Sequence, residues 1–251
     1  MLVKRSSFVV VTFVMMITLL VLTDDSILSG VITFTVIMVG YIIISIKRSK
    51  KRLGLLNEKC DPEAFLERTE KQMEITGKNA KLQAYLNVDK AAALVCMGEY
   101  QEGKNLLLSI DKSKLSTKNG TLLVFTINLI CCLYELGEIA EAEGIFEREL
   151  FNITLDSVPI TKAPFKRAIK FLNAERDYIL GKYEESQTAF EELLNEKSDK
   201  RTHVSALYGL AKIHEKLGEV EKAKEMYKEV SEEGNKLYIA KVAKRKVEEM
   251  D

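Results

Sequence analysis

One short pattern recurs four times in this chain: an apolar helical stretch ends at a glycine, and a second amphipathic stretch follows. The four turn glycines are Gly98, Gly137, Gly181 and Gly218. Apolar residues at three-to-four spacing on both sides of each glycine are typical of amphipathic helices, and no convincing strand pattern competes. Repeated helical hairpins bury their apolar faces by stacking on one another, so the pattern predicts an all-α solenoid.

Positions counted from each glycine have recurring roles. Two residues after it comes a side chain that can tuck under the preceding helix: Tyr100, Ile139, Tyr183 or Val220. Five residues after it comes a small residue where the paired helices must approach closely: Gly103, Ala142, Ser186 or Ala223. Nine residues after it comes a large side chain for the core between repeats: Leu107, Phe146, Phe190 or Tyr227.

This pattern resembles the tetratricopeptide repeat (TPR) family over roughly residues 80–234. The last unit is the best match, with the family's positions filled by Tyr208, Leu210, Ala211, Gly218, Ala223 and Tyr227. The units lie 39, 44 and 37 residues apart, against about 34 in the family. The largest insertion, at 151–159, is rich in turn-forming residues and predicts a loop. Regular stacking is therefore least expected between the second and third units.

Helices are also expected at both ends of the repeats. Asp61 and Pro62 form a helix start, and Gly77 ends that helix. At the other end, 236–249 predicts an amphipathic capping helix. The expected organisation is residues 53–79 as a linker with a leading helix and residues 80–251 as the TPR-like repeat domain.

The first fifth of the chain has a different character, because it contains two uncharged apolar runs. The second run, 27–46, is twenty residues long and would cover about 30 Å as a helix, enough to span a bilayer. The first run, 8–22, is shorter and needs its flanking hydroxyl residues to reach the same thickness. Only a four-residue turn, 23–26, separates them, so the runs predict a two-helix transmembrane hairpin ahead of the solenoid.

The distribution of lysine and arginine predicts the orientation of the hairpin. Lys4 and Arg5 precede the first run, five basic residues follow the second, and the turn has none. Basic residues concentrate on the cytoplasmic side, which predicts a two-span protein of the cell membrane with both termini in the cytoplasm. The basic residues after the second run either bind anionic lipid head groups or serve as a topology signal. They are Lys47, Arg48, Lys50, Lys51 and Arg52, and residues 1–52 form the predicted anchor.

Charge and motifs exclude several classes of function. The chain has 37 basic and 37 acidic groups, but residues 53–251 hold 30 basic and 35 acidic ones, which argues against a nucleic-acid partner. The four cysteines lack the C-x-x-C spacing of metal or redox sites, and the two histidines are eleven residues apart. No phosphate loop, nucleophile elbow or zinc motif occurs. We therefore expect no enzyme activity, no cofactor and no metal.

The resemblance implies a concave groove, lined by the first helix of each unit, that binds a protein or peptide partner. Projecting the groove positions of the family onto this chain gives an apolar, aromatic surface that becomes polar only toward the C-terminus, and it lacks the basic set that grips a C-terminal carboxylate. Such a groove suits an amphipathic helix or an apolar peptide. The candidate groove residues are Tyr134, Phe171, Glu175, Tyr178, Tyr208, Lys212 and Glu215. The alternative is that several of them are ordinary core.

The expected function is a membrane-anchored cytoplasmic scaffold that binds a protein or peptide partner at the bilayer. Two alternatives remain open at this point. One is a regulatory protein that senses a peptide in the groove and changes the curvature of the solenoid. The other is an accessory subunit whose hairpin packs against another membrane protein.

Overall fold

The structure is a computed structural model that describes the backbone of residues 5–150 and 162–251, with side chains from residue 10 onward. Throughout these residues the regular elements are helices, and no strand occurs. The chain divides into two compact units, Met1–Lys51 and Arg52–Asp251. The predicted loop at 151–159 lies outside the described residues.

The first unit is built from α1 (Arg5–Thr23) and most of α2 (Ser26–Asn57). Asp25 caps α2, because its Oδ1 accepts hydrogen bonds from the backbone N–H groups of Ile27 (2.9 Å) and Leu28 (3.1 Å). The hydroxyls of Thr23 and Ser29 lie 2.8 Å apart across the turn. The two helices are thus joined by the tight turn that the sequence predicts.

Helix α2 is long and apolar enough to cross a membrane. Most of its apolar side chains are exposed, among them Val31, Phe34 and Ile42. In α1, the apolar segment with described side chains is Val10–Thr23, which is shorter than a span. The structure therefore indicates one candidate span, and the predicted two-span hairpin is not confirmed.

The second unit holds the repeats as four helix pairs between two single helices. The leading helix is α3 (Pro62–Thr76), and the closing helix is α12 (Tyr238–Met250). The pairs are α4 (Ala80–Met97) with α5 (Tyr100–Leu108), α6 (Thr121–Glu135) with α7 (Ile139–Ile145), α8 (Lys162–Ile179) with α9 (Tyr183–Asn195), and α10 (Lys200–Lys216) with α11 (Val220–Glu233). A 3-10 turn, Lys112–Lys114, follows α5, and a π-helical turn, Phe146–Leu150, extends α7.

The four predicted turn glycines lie at the turns between paired helices. Their φ angles are +75° to +82°, in the left-handed region where a side chain would be strained. At Gly98 the N–H also donates to the carbonyls of Leu94 and Val95, which ends α4. The glycines that recur in the sequence therefore mark the turns in which the backbone must adopt a left-handed conformation.

The packing positions of the repeat are also confirmed. Ala142, Ser186 and Ala223 are fully buried between paired helices, and the Ser186 hydroxyl donates to the carbonyl of Ala174 at 2.7 Å. The large side chains nine residues after the glycines fill the core: Leu107, Phe190 and Tyr227 are buried and Phe146 is partly buried.

Arg52 corrects one expectation from the sequence. It was grouped with the lipid-proximal basic residues, but only 6% of it is exposed. Its guanidinium forms an ion pair with Asp89 (Nη1–Oδ2, 2.6 Å) and donates to the hydroxyl of Thr69 at 3.0 Å. It also lies 5.4 Å from the ring centre of Phe65. Arg52 is therefore part of the repeat domain's core, unlike the exposed Lys47, Arg48, Lys50 and Lys51.

The repeat domain closes on itself, which the sequence did not predict. The first helices α4, α6, α8 and α10 contact one another in order, and α12 contacts both α10 and α4. The backbone N–H of Lys236 donates to the carbonyl of Cys60 at 3.1 Å, and the side chain of Asn235 donates to the carbonyl of Lys59 at 2.7 Å. The ring of Tyr238 meets that of Tyr100 edge-on at 6.1 Å. The result is a ring of helices.

Candidate functional site

The ring of helices encloses a central cavity of about 330 Å³. Its walls come from the first helices of all four pairs, and the Tyr100 end of α5 and residues 237–239 complete it. The lining is largely apolar, including Val95, Val124, Ile127 and Phe165. Concave, mostly apolar cavities with a few polar groups are where proteins bind small ligands and peptide segments. We call this space the central cavity.

The predicted groove residues divide into two sets. Five of the seven line the central cavity: Tyr134, Phe171, Glu175, Tyr208 and Lys212. The other two, Tyr178 and Glu215, are not among its lining residues. The rings of Tyr178 and Tyr183 pack together at 5.7 Å, and Glu215 accepts hydrogen bonds from Tyr227 (2.7 Å) and Lys246 (2.7 Å). These two residues join helices of the ring to one another.

Lys212 is a basic residue of the cavity wall whose ammonium group contacts a carboxylate and two aromatic rings. Its ammonium donates to Glu175 at 2.9 Å and lies 4.5 Å from the ring centre of Tyr178 and 5.4 Å from that of Tyr208. Burial acts to lower its pKa, but Glu175 and Glu135 outweigh burial and raise the pKa of Lys212 to about 12. Lys212 therefore stays charged and is held in place by one carboxylate and two aromatic rings.

Glu135 is a second carboxylate in the same wall. It is the last residue of α6, and it belongs to the lining of the cavity. Burial and then Glu175 raise the pKa of Glu135, although Lys212 opposes them. The carboxyl interacts with Tyr100, whose pKa is raised by burial first and by Glu135 next, so this phenol is protonated at neutral pH. This carboxylate therefore lies among aromatic side chains.

Two further basic residues of the cavity lining, Arg167 and Arg201, lie near the N-terminal ends of α8 and α10. Arg201 donates from Nε to Asn57 Oδ1 at 3.1 Å and also interacts with Cys96 and with Asp199. Asp199 in turn caps α10 through the N–H of Thr202 at 3.0 Å. Arg167 also lines the cavity. Arg201 therefore links the wall of the cavity to the end of α2.

The cysteines behave as core residues. Burial raises the pKa of Cys60 to about 11, raises the pKa of Cys132 to about 12 and also raises the pKa of Cys131, so these thiols stay protonated at neutral pH. Over the residues that the structure describes, no three His, Cys, Asp or Glu side chains are grouped closely enough to hold a metal ion.

Sequence reasoning missed the lining residues that come from outside the first helices. Tyr100 and Tyr238 reach the cavity only because the ring closes, and Tyr238 is contributed by the capping helix. Glu135 was missed for a local reason. It is adjacent to the predicted groove residue Tyr134, but it lies on the next face of the helix.

Helical hairpins with left-handed glycine turns, stacked around a concave surface, define the class of α-solenoid repeat proteins. Within that class, a family model described as the SusR N-terminal TPR domain matches residues 66–230, about two thirds of the chain. The chain therefore belongs to this TPR family. Domains of this family typically act as protein-interaction scaffolds. No curated protein and no solved structure matches the chain.

Proposed function

We propose that the protein is a membrane-anchored TPR scaffold whose central cavity binds a peptide segment of a partner protein. The observation that carries this proposal is the central cavity, lined by all four first helices. Its largely apolar lining with a few charged groups suits an apolar peptide segment or an amphipathic helix.

For the anchor, we propose that α1 and α2 both span the cell membrane and that both termini lie in the cytoplasm. The support is the apolar character of α2 and the absence of lysine and arginine from the turn at 23–26. The exposed residues Lys47, Arg48, Lys50 and Lys51 would then lie near the lipid head groups. Confinement to the membrane surface raises the effective concentration of the repeat domain toward membrane-bound partners.

In-cell crosslinking tests the cavity. A photoreactive phenylalanine analogue placed at Phe171, in the cavity lining, should give a covalent adduct with a partner protein. The same analogue at Leu108, which is 57% exposed and outside the lining, is the control. Adding Tyr208→Ala should reduce the adduct formed from position 171. Equal adducts from positions 171 and 108 would contradict peptide binding in the cavity.

Chemical labelling tests the topology. A membrane-impermeant maleimide added to intact cells should label an Asp24→Cys variant in the turn and leave a Glu58→Cys variant unlabelled until the cells are opened. Release of the intact protein from vesicles by alkaline carbonate would contradict the anchor altogether.

A peptide-sensing regulatory role is the second candidate, and the ring closure favours it. A peptide enclosed by the ring touches both α4 and residues 237–239, so its binding would stabilise the closing contacts. Hydrogen-exchange mass spectrometry should then show slower exchange at the closing residues Asn235 and Lys236. Protection confined to α6, α8 and α10 would favour the scaffold without a sensing step.

A further inference from the structure

From the charge balance of the central cavity, we propose that it holds a cationic side chain, lysine or arginine, of the bound peptide beside Glu135. This inference rests on the proposed peptide-binding function and names the chemistry of the ligand. The residues that carry it are Glu135 and the three tyrosines around it, with Glu175 and Lys212 as the neighbouring ion pair.

Carboxylates outnumber ammonium groups around Glu135. Glu135, Glu175 and Lys212 lie close enough to influence one another's ionisation, and they comprise two carboxylates and one ammonium. The ammonium of Lys212 already donates to Glu175 at 2.9 Å and contacts two aromatic rings. Within the part of the chain that the structure describes, Glu135 forms no ion pair of its own. One negative charge is therefore left without a fixed counter-charge.

Aromatic side chains lie around that charge. Tyr100, Tyr208 and Tyr238 all line the cavity and lie near one another. Tyr100 and Tyr208 both interact with Glu135, and Tyr238 meets Tyr100 edge-on at 6.1 Å. Aromatic rings attract cations through their negative faces, and a carboxylate adds a charge-assisted hydrogen bond. Carboxylate and rings together favour a lysine or arginine side chain.

The lining also contains the charged residues Arg201, Asp199 and Arg167. Arg201 and Asp199 interact with each other, and Arg201 also donates to Asn57. Arg167 lies eight residues before Glu175 on α8, about 12 Å along the helix. It is therefore too far along the wall to neutralise the carboxylates at the Glu175 level. Arg201 interacts with Asp199 and Lys212 pairs with Glu175, so Glu135 is the carboxylate at that level that an entering cation would neutralise.

The test uses the full-length chain, immobilised in detergent micelles, and random hexapeptide pools. One pool contains lysine and arginine, and a matched pool has every lysine acetylated and every arginine replaced by citrulline. Retained peptides are identified by mass spectrometry. We expect the cationic pool to be enriched at least fivefold over the neutral one. The Glu135→Gln variant should retain peptides but lose this enrichment, whereas Glu102→Gln, an exposed acid on α5 outside the lining, should keep it.

The outcomes separate the two proposals. Peptides retained without enrichment of basic residues, or with enrichment that survives Glu135→Gln, would overturn the cation site and leave peptide binding standing. No retention above that of a Tyr208→Ala/Phe171→Ala control would overturn the peptide-binding function itself. Cadaverine provides the same ammonium without a peptide, and we expect it to displace the peptides only at concentrations at least 100-fold higher. Displacement at equal concentration would assign the site to a free amine and refute the inference.

Discussion

The buried ion pair between Arg52 and Asp89 gives the sharpest test of where the repeat domain begins. The exposed fractions of the two side chains are 7% and 12%, and their charged atoms are 2.6 Å apart. Removing one partner of a buried pair leaves the other charge buried and uncompensated, which costs about 3–5 kcal/mol. Arg52→Met should therefore lower the free energy of unfolding by about that amount, since Asp89 loses its counter-charge and the Thr69 hydroxyl loses one donor.

Urea unfolding of the full-length protein in detergent can measure this loss through tyrosine fluorescence. The chain has no tryptophan, and eight of its nine tyrosines lie in the second unit, so the signal reports the repeat domain. The neighbouring Lys51→Met is the control, because Lys51 is exposed and should cost less than 1 kcal/mol. The double variant Arg52→Met/Asp89→Leu should lose less than the two single losses added together, since neither charge is stranded.

Equal losses for Arg52→Met and Lys51→Met would refute the reasoning. Arg52 would then be one more surface charge of the basic stretch, as the sequence suggested, and the core of the domain would not extend back to it. A double variant whose loss equals the sum of the single losses would show that Arg52 and Asp89 do not interact.

Four further outcomes are expected. Gly218→Ala should cost about 1–2 kcal/mol because its φ is +77°, while Gly144→Ala, within α7 with open space around it, should be neutral or stabilising; urea unfolding distinguishes them. Tyr238→Ala should destabilise by about 1–3 kcal/mol and increase the radius of gyration in X-ray scattering. Hydrogen bonds from Arg176 lower the pKa of Glu143 in the folded protein. The stability that this pair contributes is therefore fully present above the ordinary carboxyl pKa and is lost as pH falls through the lowered pKa. Glu143→Gln should make the free energy of unfolding depend less on pH in that acidic range. Binding of lysine peptides should weaken as pH falls through the raised pKa of Glu135, visible in a pH series of binding isotherms.

The helices and turns were predictable because their causes are local. A glycine that must adopt a positive φ is visible in the sequence, as is a small residue five positions later where two helices approach. The start of α3 was predictable for the same reason: Asp61 accepts from the N–H of Ala64 at 3.0 Å, and Pro62 occupies the first helical position. Each of these features is decided within about ten residues.

The basic stretch shows where local reasoning fails. Lys47, Arg48, Lys50, Lys51 and Arg52 look alike as a cluster, but only Arg52 reaches buried acceptors. Its partner Asp89 is 37 residues away on α4, and nothing in the local sequence announces that pairing. Membership of a core is a property of tertiary packing, so a charge at the end of a long apolar helix can belong to either unit.

The closing of the ring is non-local in a stronger sense, and the candidate site depends on it. Each helix pair adds a small rotation, and the sum over four pairs decides whether the ends meet. That sum brings Tyr238 within 6.1 Å of Tyr100, more than 130 residues earlier in the chain. The first-helix residues of the site, Tyr208 among them, were predictable from the repeat, whereas Tyr100 and Tyr238 reach the cavity only because the ring closes. A change that opens the ring would leave every repeat intact and still remove the cation preference of the cavity.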